Sequence, residues 1–220
     1  MVQTKVIVFD FDDTLVKSER GKQEAPIEIF SVIPGAREIA AEYRAGHRNT
    51  PRRELIAGIL AALEDRGIPV TIENPVEHFL NKFGQLTEET QTTAPIVSGA
   101  EKALESRLIF HHLYLNTATP QEFIDRVISA RGWKKFFKGI YGSPPGTKID
   151  HLQEIIAQES VKPQEVVVVG DGRGDLESAE SCGCRFIGVR GEYYDFGNPP
   201  FPILDDLRNL EITINSFKTK

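Results

Sequence analysis

Residues 5–15 read Lys-Val-Ile-Val-Phe-Asp-Phe-Asp-Asp-Thr-Leu, an apolar run that leads directly into a cluster of acids. The part Lys5–Phe9 is continuous and rich in β-branched residues, which is typical of a strand buried on both faces in a parallel sheet. Asp10, Asp12 and Asp13 follow it. Because open α/β sheets bind ligands just beyond the carboxyl ends of their strands, this stretch predicts both a fold class and the place of a site.

Similar apolar runs recur in the second half of the chain, and helical patterns separate them. The runs lie at 109–116, 139–142, 165–170 and 185–189, and the helical patterns at 120–131, 148–159 and 174–181. Strands that alternate with helices imply right-handed crossovers. The sequence therefore predicts an α/β fold with a doubly wound parallel sheet.

The segment 16–98 breaks this alternation, because it contains amphipathic helical stretches and no convincing buried strand. Helices are expected at 26–32, 36–44, 51–66 and 75–90. Pro51 at the start of one and Gly67 at its end agree with the residue preferences of helix termini. The expected organisation is an α/β core of residues 1–15 and 99–220 with an inserted small α-helical cap domain of residues 16–98.

Composition excludes several classes of function. The formal net charge of −6 argues against a general nucleic-acid binder, which needs a clustered positive surface. The apolar run at 6–9 is too short to span a membrane and no secretory signal precedes it, so we expect no membrane partner and a cytoplasmic location. Cys182 and Cys184 lack zinc spacing, and they are either small packed side chains beside Gly183 or a redox pair.

The acids after the first strand point to a cation. Alternation places Asp10 and Asp12 on one side, where two unpaired carboxylates repel unless a cation or a proton separates them. Mg²⁺ prefers oxygen ligands and phosphate-bearing partners, so it is the expected cofactor. The alternative is a solvated polar strand end.

Three further groups of residues follow predicted strands or open predicted helices. Thr117 and Thr119 follow the second strand, where a hydroxyl either binds an anion or caps the next helix. Lys148 begins a helix, a position at which a nearby anion would offset the helix dipole. Asp171 and Asp175 lie in the glycine-rich turn after the strand 165–170, and a helix cap explains only one of these two acids.

The sequence thus contains four groups of candidate site residues: the acids after the first strand, the threonines after the second, Lys148, and Asp171 with Asp175. In this chain order they resemble the four motifs of the haloacid dehalogenase superfamily. Those motifs are Asp-x-Asp-x-Thr, a Thr or Ser after the second strand, a Lys, and Gly-Asp-x-x-x-Asp. Segments 98–104 and 178–189 are also similar to the family, so the resemblance covers roughly the whole chain. The insert resembles the helical cap of the subgroup that includes phosphoglycolate phosphatase and β-phosphoglucomutase.

The resemblance implies a Mg²⁺-dependent phosphatase for a small phosphorylated metabolite, either a monomer or a homodimer. Asp10 would be the nucleophile and form an aspartyl-phosphate, and Asp12 would be the general acid and base. The metal would bind Asp10, the main-chain carbonyl of Asp12, Asp171, and Asp175 directly or indirectly. Thr117, Lys148 and the main-chain amides after Asp10 would hold the transferring phosphoryl oxygens, so Thr117 and Lys148 would be catalytic as well as substrate-binding residues. Ala118 is the further implied substrate-binding residue.

Three positions depart from the family pattern. Asp13 stands where many members have Gly, Ile149 stands where Pro often follows the Lys, and Ala118 stands where Asn often follows the Thr. The last departure is closer to a mutase pattern, so a phosphomutase is the alternative within the superfamily. Asp12 argues against a dehalogenase or a phosphonatase, which lack this second acid.

Two alternatives come from other functional classes. A phospho-accepting receiver domain also combines acids, Thr or Ser, and Lys, but no Asp ends the strand 109–116 and such a module has no helical insert. A catalytically idle interaction protein gives no reason for four motifs to occur together.

The loop 45–53 of the insert is basic in an otherwise acidic protein. We predict that Arg48, helped by His47 and Asn49, selects small substrates with an anionic or hydroxylated leaving group, because guanidinium geometry suits a second carboxylate or phosphate. The alternative is a solvated surface charge, which we expect for Arg52 and Arg53. The identity of the substrate does not follow from these residues.

Overall fold

The computed structural model describes residues 3–47, 50–108 and 110–217. These residues form two compact units, one made of the described residues up to 17 and from 94 onwards, the other of those between 18 and 93. The larger unit contains six strands, β1 (Val6–Phe9), β2 (His112–Thr117), β3 (Gly139–Gly142), β4 (Val166–Gly170), β5 (Arg185–Val189) and β6 (Ile203–Leu204). They form one parallel sheet in the order β3-β2-β1-β4-β5-β6. The predicted α/β class is confirmed, and the short β6 is an addition to it.

The central strand β1 is buried on both faces, as its composition predicts. Ile7 and Phe9 belong to one apolar cluster of the larger unit, whereas Val6 and Val8 belong to another. All four side chains are at most 1 % exposed. Burial of apolar side chains is the main favourable contribution to the free energy of folding. Because both faces of β1 are buried, its register in the sheet is fixed, and so is the position of Asp10, which directly follows it.

The smaller unit is helical and has its own apolar core. Its helices are α1 (Glu19–Phe30), α2 (Ala36–Gly46), α3 (Arg52–Asp65) and α4 (Pro75–Thr93). The predicted start at Pro26 is wrong, because Pro26 lies inside α1 and is buried beside Ala25 and Ile29. A proline removes one helical hydrogen bond, and the apolar contacts of this buried face offset that loss.

The helices of the larger unit are α5 (Ala100–Leu108), α6 (Gln121–Ala130), α7 (Lys148–Glu159), α8 (Arg173–Cys182) and α9 (Leu210–Ser216). Val16 forms an antiparallel bridge with Ile96, and the N–H of Val97 donates to the carbonyl of Leu15 at 2.9 Å. This pairing keeps residues 16–17 and 94–98 in the α/β unit, whereas the sequence pattern places them in the insert. Among the described residues, no helix is both long and apolar enough to cross a bilayer.

A buried carboxylate stabilises the sheet at the end opposite its carboxyl edge. Glu159, whose side chain is 6 % exposed, accepts hydrogen bonds from His112 Nδ1 at 2.7 Å and from the Tyr114 hydroxyl, and it pairs with Lys138 Nζ at 2.8 Å. Burial alone would raise the pKa of Glu159, but these three donors outweigh it and lower the pKa from 4.5 to about 2.

We expect Glu159→Gln to lower the free energy of unfolding at neutral pH by about 1–3 kcal/mol, because the variant loses charge-assisted bonds. A folded pKa of about 2 lies below the ordinary 4.5, so the stabilisation is complete above that ordinary value and is lost as the pH falls towards 2. Urea unfolding should therefore show the gap between wild type and variant shrinking as the pH is lowered from about 7 to about 3. The exposed Glu154 of the same helix provides the control Glu154→Gln. A gap that stays constant with pH would contradict the assignment.

Candidate active site

Three neighbouring strands bring the predicted site residues to one edge of the sheet. β1 pairs with β2 on one side and with β4 on the other, and Phe9 is in register with Leu115 and Val169. The strands end together, and the N–H of Asp10 donates to the carbonyl of Val169 at 2.9 Å. Residues that are far apart in sequence therefore meet at the carboxyl edge.

Three carboxylates converge there. Asp10, Asp171 and Asp175 each offer an oxygen, and these oxygens all lie within 4.8 Å of one another. The three residues are 6 %, 8 % and 3 % exposed, respectively. The N–H of Gly172 holds Asp175 Oδ2 at 3.1 Å, and the Thr14 hydroxyl donates to Asp171 Oδ1 at 3.3 Å.

Lys148 joins two of these carboxylates. Its Nζ lies 2.6 Å from Asp10 Oδ1 and 2.6 Å from Asp175 Oδ1. Burial alone would lower the pKa of Lys148, but Asp10 and Asp175 outweigh that effect and raise it. The ammonium therefore stays charged, and the two acids compensate for its position at the first residue of α7.

The local charges fit a divalent cation. Burial raises the pKa of Asp10 to about 7; Lys148 opposes this shift, and Asp175 and Asp12 add to it. One ammonium does not neutralise three buried carboxylates, and every ligand atom in the group is oxygen. Mg²⁺ prefers this donor set, and its charge would return Asp10 to the ionised form.

Asp12 is buried, but its carboxylate is not one of the three that converge. Its Oδ2 lies 3.5 Å from the hydroxyl of Thr119. The family resemblance implies two roles for Asp12: its side chain is the general acid and base, and only its main-chain carbonyl binds the metal. The observed placement of the carboxylate is compatible with these roles. Asp13 has a φ of +52°, a left-handed conformation that Gly adopts readily and Asp tolerates, which explains why either residue suits this turn.

The loop after β2 supplies Thr117, Ala118 and Thr119. Both threonine side chains are fully buried, and the N–H of Thr119 donates to Thr117 Oγ1 at 3.2 Å. The suggestion that Thr119 caps the next helix is wrong, because Pro120 occupies that position and α6 begins at Gln121. Ala118 is exposed.

The basic loop of the helical unit is described only in part. Arg48 and Asn49 lie outside the described residues, so their predicted role stays a prediction. The side chain of His47 stacks on Tyr43, with ring centroids 4.0 Å apart. Arg53 pairs with Glu77 at 2.7 Å, and the Arg52 guanidinium lies 4.8 Å from the centre of the Phe83 ring.

Two buried polar residues beside Lys148 were not identified from the sequence. Asn116 and His151 are hydrogen-bonded to each other at 3.1 Å. The only sequence signal is a pair of polar residues where the pattern of a buried strand and the buried face of a helix would place apolar ones.

We expect Gly170→Ala to reduce turnover roughly 10- to 100-fold, the range typical of disturbing a residue that orients a metal ligand. A Cβ at Gly170 would lie 2.3 Å from Cγ of Asp175, so the carboxylate would have to move. The matched control is Gly174→Ala, where a Cβ meets nothing within 4 Å. Steady-state kinetics with Mg²⁺ titration checks this, and equal activity of the two variants would contradict it.

Similarity to known proteins extends over most of the chain. A family model described as haloacid dehalogenase-like hydrolase matches residues 7–189. The phosphoglycolate phosphatase of Pseudomonas putida is 25 % identical over 219 residues, which cover 94 % of this chain and 78 % of that protein. The structure of Bacillus subtilis YfnB bound to magnesium has a TM-score of 0.73 at 18 % identity, covering 97 % of this chain and 99 % of that one. Rhodobacter sphaeroides CbbY in complex with phosphate has a TM-score of 0.71 at 19 % identity, covering 94 % and 96 %.

Proposed function

This chain belongs to the haloacid dehalogenase-like hydrolase family, and we propose that it is a Mg²⁺-dependent phosphatase that hydrolyses a small phosphate monoester. The observation that carries the proposal is the buried group of Asp10, Asp171 and Asp175 with Lys148 between two of its members. An anionic phosphate can approach these three carboxylates only when cations compensate their negative charge. The site therefore contains a nucleophile and the ligands for the cation that a phosphoryl substrate requires.

We assign Asp10 as the nucleophile and Asp12 as the proton carrier. An oxygen of Asp10 attacks phosphorus while the bond to the ester oxygen breaks, and Asp12 gives its proton to the departing alcohol. Asp12 then takes a proton from the water that attacks the aspartyl-phosphate, which releases inorganic phosphate and restores Asp10. Thr119, 3.5 Å from Asp12, helps to orient this carboxyl group.

We assign Lys148 and Thr117 to the transferring phosphoryl oxygens, together with the main chain at Ala118. Phosphoryl transfer depends mostly on positioning and charge neutralisation, and Lys148 is already held within 2.6 Å of the proposed nucleophile. Asp10, Asp171, Asp175 and the main-chain carbonyl of Asp12 would hold Mg²⁺. The cation would neutralise the negative charge that accumulates on the phosphoryl group.

The similarity to curated relatives supports a proposal for the substrate class. The similarity to phosphoglycolate phosphatase favours a small phosphorylated carboxylic acid, with 2-phosphoglycolate as the first compound to test. Arg48 remains the residue predicted to recognise the second anionic group. A phosphomutase would use the same acids, and it differs by returning the phosphoryl group to a sugar phosphate instead of releasing phosphate to water.

We expect turnover to require Mg²⁺ and to be abolished by chelation, because three buried carboxylates otherwise repel an anionic substrate. The measurement is phosphate release from 2-phosphoglycolate, p-nitrophenyl phosphate and other small phosphate esters, with Mg²⁺ and with excess EDTA. Isomerisation of β-glucose 1-phosphate without phosphate release would support the mutase alternative. Full turnover in EDTA would contradict the assigned metal site.

A further inference from the structure

A buried side-chain bridge lies beneath Lys148. The Asn116 Nδ2 group donates to the carbonyl of Lys148 at 2.9 Å, and Asn116 Oδ1 lies 3.1 Å from His151 Nδ1. The other ring nitrogen of His151, Nε2, lies 2.8 Å from the carbonyl of Pro145. Asn116 is 4 % exposed and His151 is 7 % exposed. The bridge thus connects the end of β2 to the main chain of Lys148 and, through His151, to the carbonyl of Pro145 in the preceding loop.

The chemistry of the partners fixes the direction of each bond. A carbonyl only accepts, so the Asn116 amide turns its nitrogen to Lys148 and its oxygen to His151. The imidazole then faces an acceptor at each nitrogen, the amide oxygen of Asn116 and the carbonyl of Pro145, so it donates to both when both nitrogens carry a proton and to one of them when only one does. Buried polar groups arranged in this way resist displacement, because breaking a bond leaves a partner without its hydrogen bond.

The loop before α7 is shaped around the His151 ring. Gly146 has a φ of +76°, and a Cβ there would lie 2.6 Å from His151 Nε2. Thr147 caps the helix by accepting from the N–H of Asp150 at 3.2 Å, and the N–H of His151 donates to the carbonyl of Thr147 at 3.0 Å. The backbone is therefore fixed on both sides of Lys148.

From this geometry we propose that Asn116 and His151 are positioning residues, which fix the main chain of Lys148 so that Nζ reaches Asp10 and Asp175. The lysine side chain has many rotamers, and its two 2.6 Å contacts are kept only if its Cα is held in place. Ile149 follows Lys148 where proline is frequent in similar proteins, and the bridge supplies the rigidity at this point. The inference rests on the proposed function, since it assigns a kinetic consequence to Lys148.

The test is a double-mutant cycle between His151 and Lys148. We expect His151→Ala to lower kcat roughly 10- to 100-fold with less than about a threefold change in KM, because misplacement of a catalytic group by ~1 Å costs about that much. In a Lys148→Ala background the same substitution should change kcat less than about threefold, since the group that it positions is gone. His151→Gln keeps one donor and should recover part of the loss. Losses that multiply in the double variant, or a wild-type kcat in His151→Ala, would overturn the proposal.

A second readout does not depend on activity. Reductive methylation followed by mass spectrometry measures how accessible the Lys148 amine is, and we expect labelling to be several-fold faster in His151→Ala and Asn116→Ala than in wild type. The control His112→Ala removes an exposed histidine at the other end of β2 and should change neither labelling nor kcat. Unchanged labelling of Lys148 in both bridge variants would overturn the proposal even if the enzyme assay failed. Absence of any turnover in the wild type would instead overturn the proposed function.

Discussion

Asp10→Asn is expected to lower kcat by roughly 10⁴- to 10⁶-fold, the scale on which loss of a catalytic nucleophile acts in a hydrolase. The amide of asparagine has nearly the shape of the carboxylate, but it does not form an acyl phosphate under these conditions. Asp10 lies 2.6 Å from Lys148 Nζ and belongs to the buried carboxylate group, in which it alone is assigned as the nucleophile. The variant should still bind substrate and should unfold cooperatively, because it removes one of three mutually repelling charges.

The matched control is Asp13→Asn, in the same loop. Asp13 has a φ of +52°, and asparagine adopts this conformation as readily as aspartate. We expect this variant to keep turnover within about threefold of wild type, since Asp13 is only half-buried, asparagine has nearly the same shape, and Asp13 is not one of the three converging carboxylates. Steady-state kinetics and circular dichroism on both variants decide the matter. Near wild-type turnover in Asp10→Asn would refute the assignment of the nucleophile.

Asp12→Asn is expected to slow hydrolysis by about 10²- to 10⁴-fold, because general acid–base catalysis contributes on that scale. The loss should depend on the leaving group. An alkyl phosphate such as 2-phosphoglycolate releases a poor leaving group that needs a proton, whereas p-nitrophenolate leaves without one. The variant should therefore lose much more activity on the alkyl ester, while substrate binding is retained.

The comparison of the two substrates distinguishes the role of Asp12 from a structural one. Asp12 is 3 % exposed and its carboxylate contacts the Thr119 hydroxyl, so a structural defect would reduce both activities alike. Thermal unfolding of the variant shows whether packing has changed. Equal losses on both esters would argue against Asp12 as the general acid.

The sequence predicted the sheet well because its strands are locally distinct. Continuous apolar runs are typical of strands that are covered on both faces of a sheet, and Val6–Phe9 and Val166–Gly170 are two such runs. The structure confirms them as neighbouring strands. Topology then brings the ends of these strands together, so Asp10 and Asp171 meet although the intervening chain is long. The contacts of Lys148 also agree with its predicted place at the start of α7.

What the sequence did not predict depends on contacts between distant residues. Pro26 suggested a helix start, yet its burial lets it lie inside α1. Asn116 and His151 are separated by 35 positions, and nothing in the local pattern shows that one amide satisfies both the ring and the carbonyl of Lys148. Val16 pairs with Ile96 only because the two connections of the insert run side by side. The partners of these residues belong to other parts of the fold, so the local sequence pattern contains no sign of the contacts.

The most direct test of the proposed mechanism is to trap the covalent intermediate. Wild-type protein is mixed with Mg²⁺ and a phosphate ester that it turns over, quenched with acid during turnover, and reduced with borohydride, which converts an acyl phosphate of aspartate to homoserine. Mass spectrometry of the peptide that contains residues 6–15 should then place homoserine at position 10, and the Asp10→Asn variant should give none. Modification at another residue, or continuing turnover with Asp10 unmodified throughout, would contradict a phosphatase that works through Asp10.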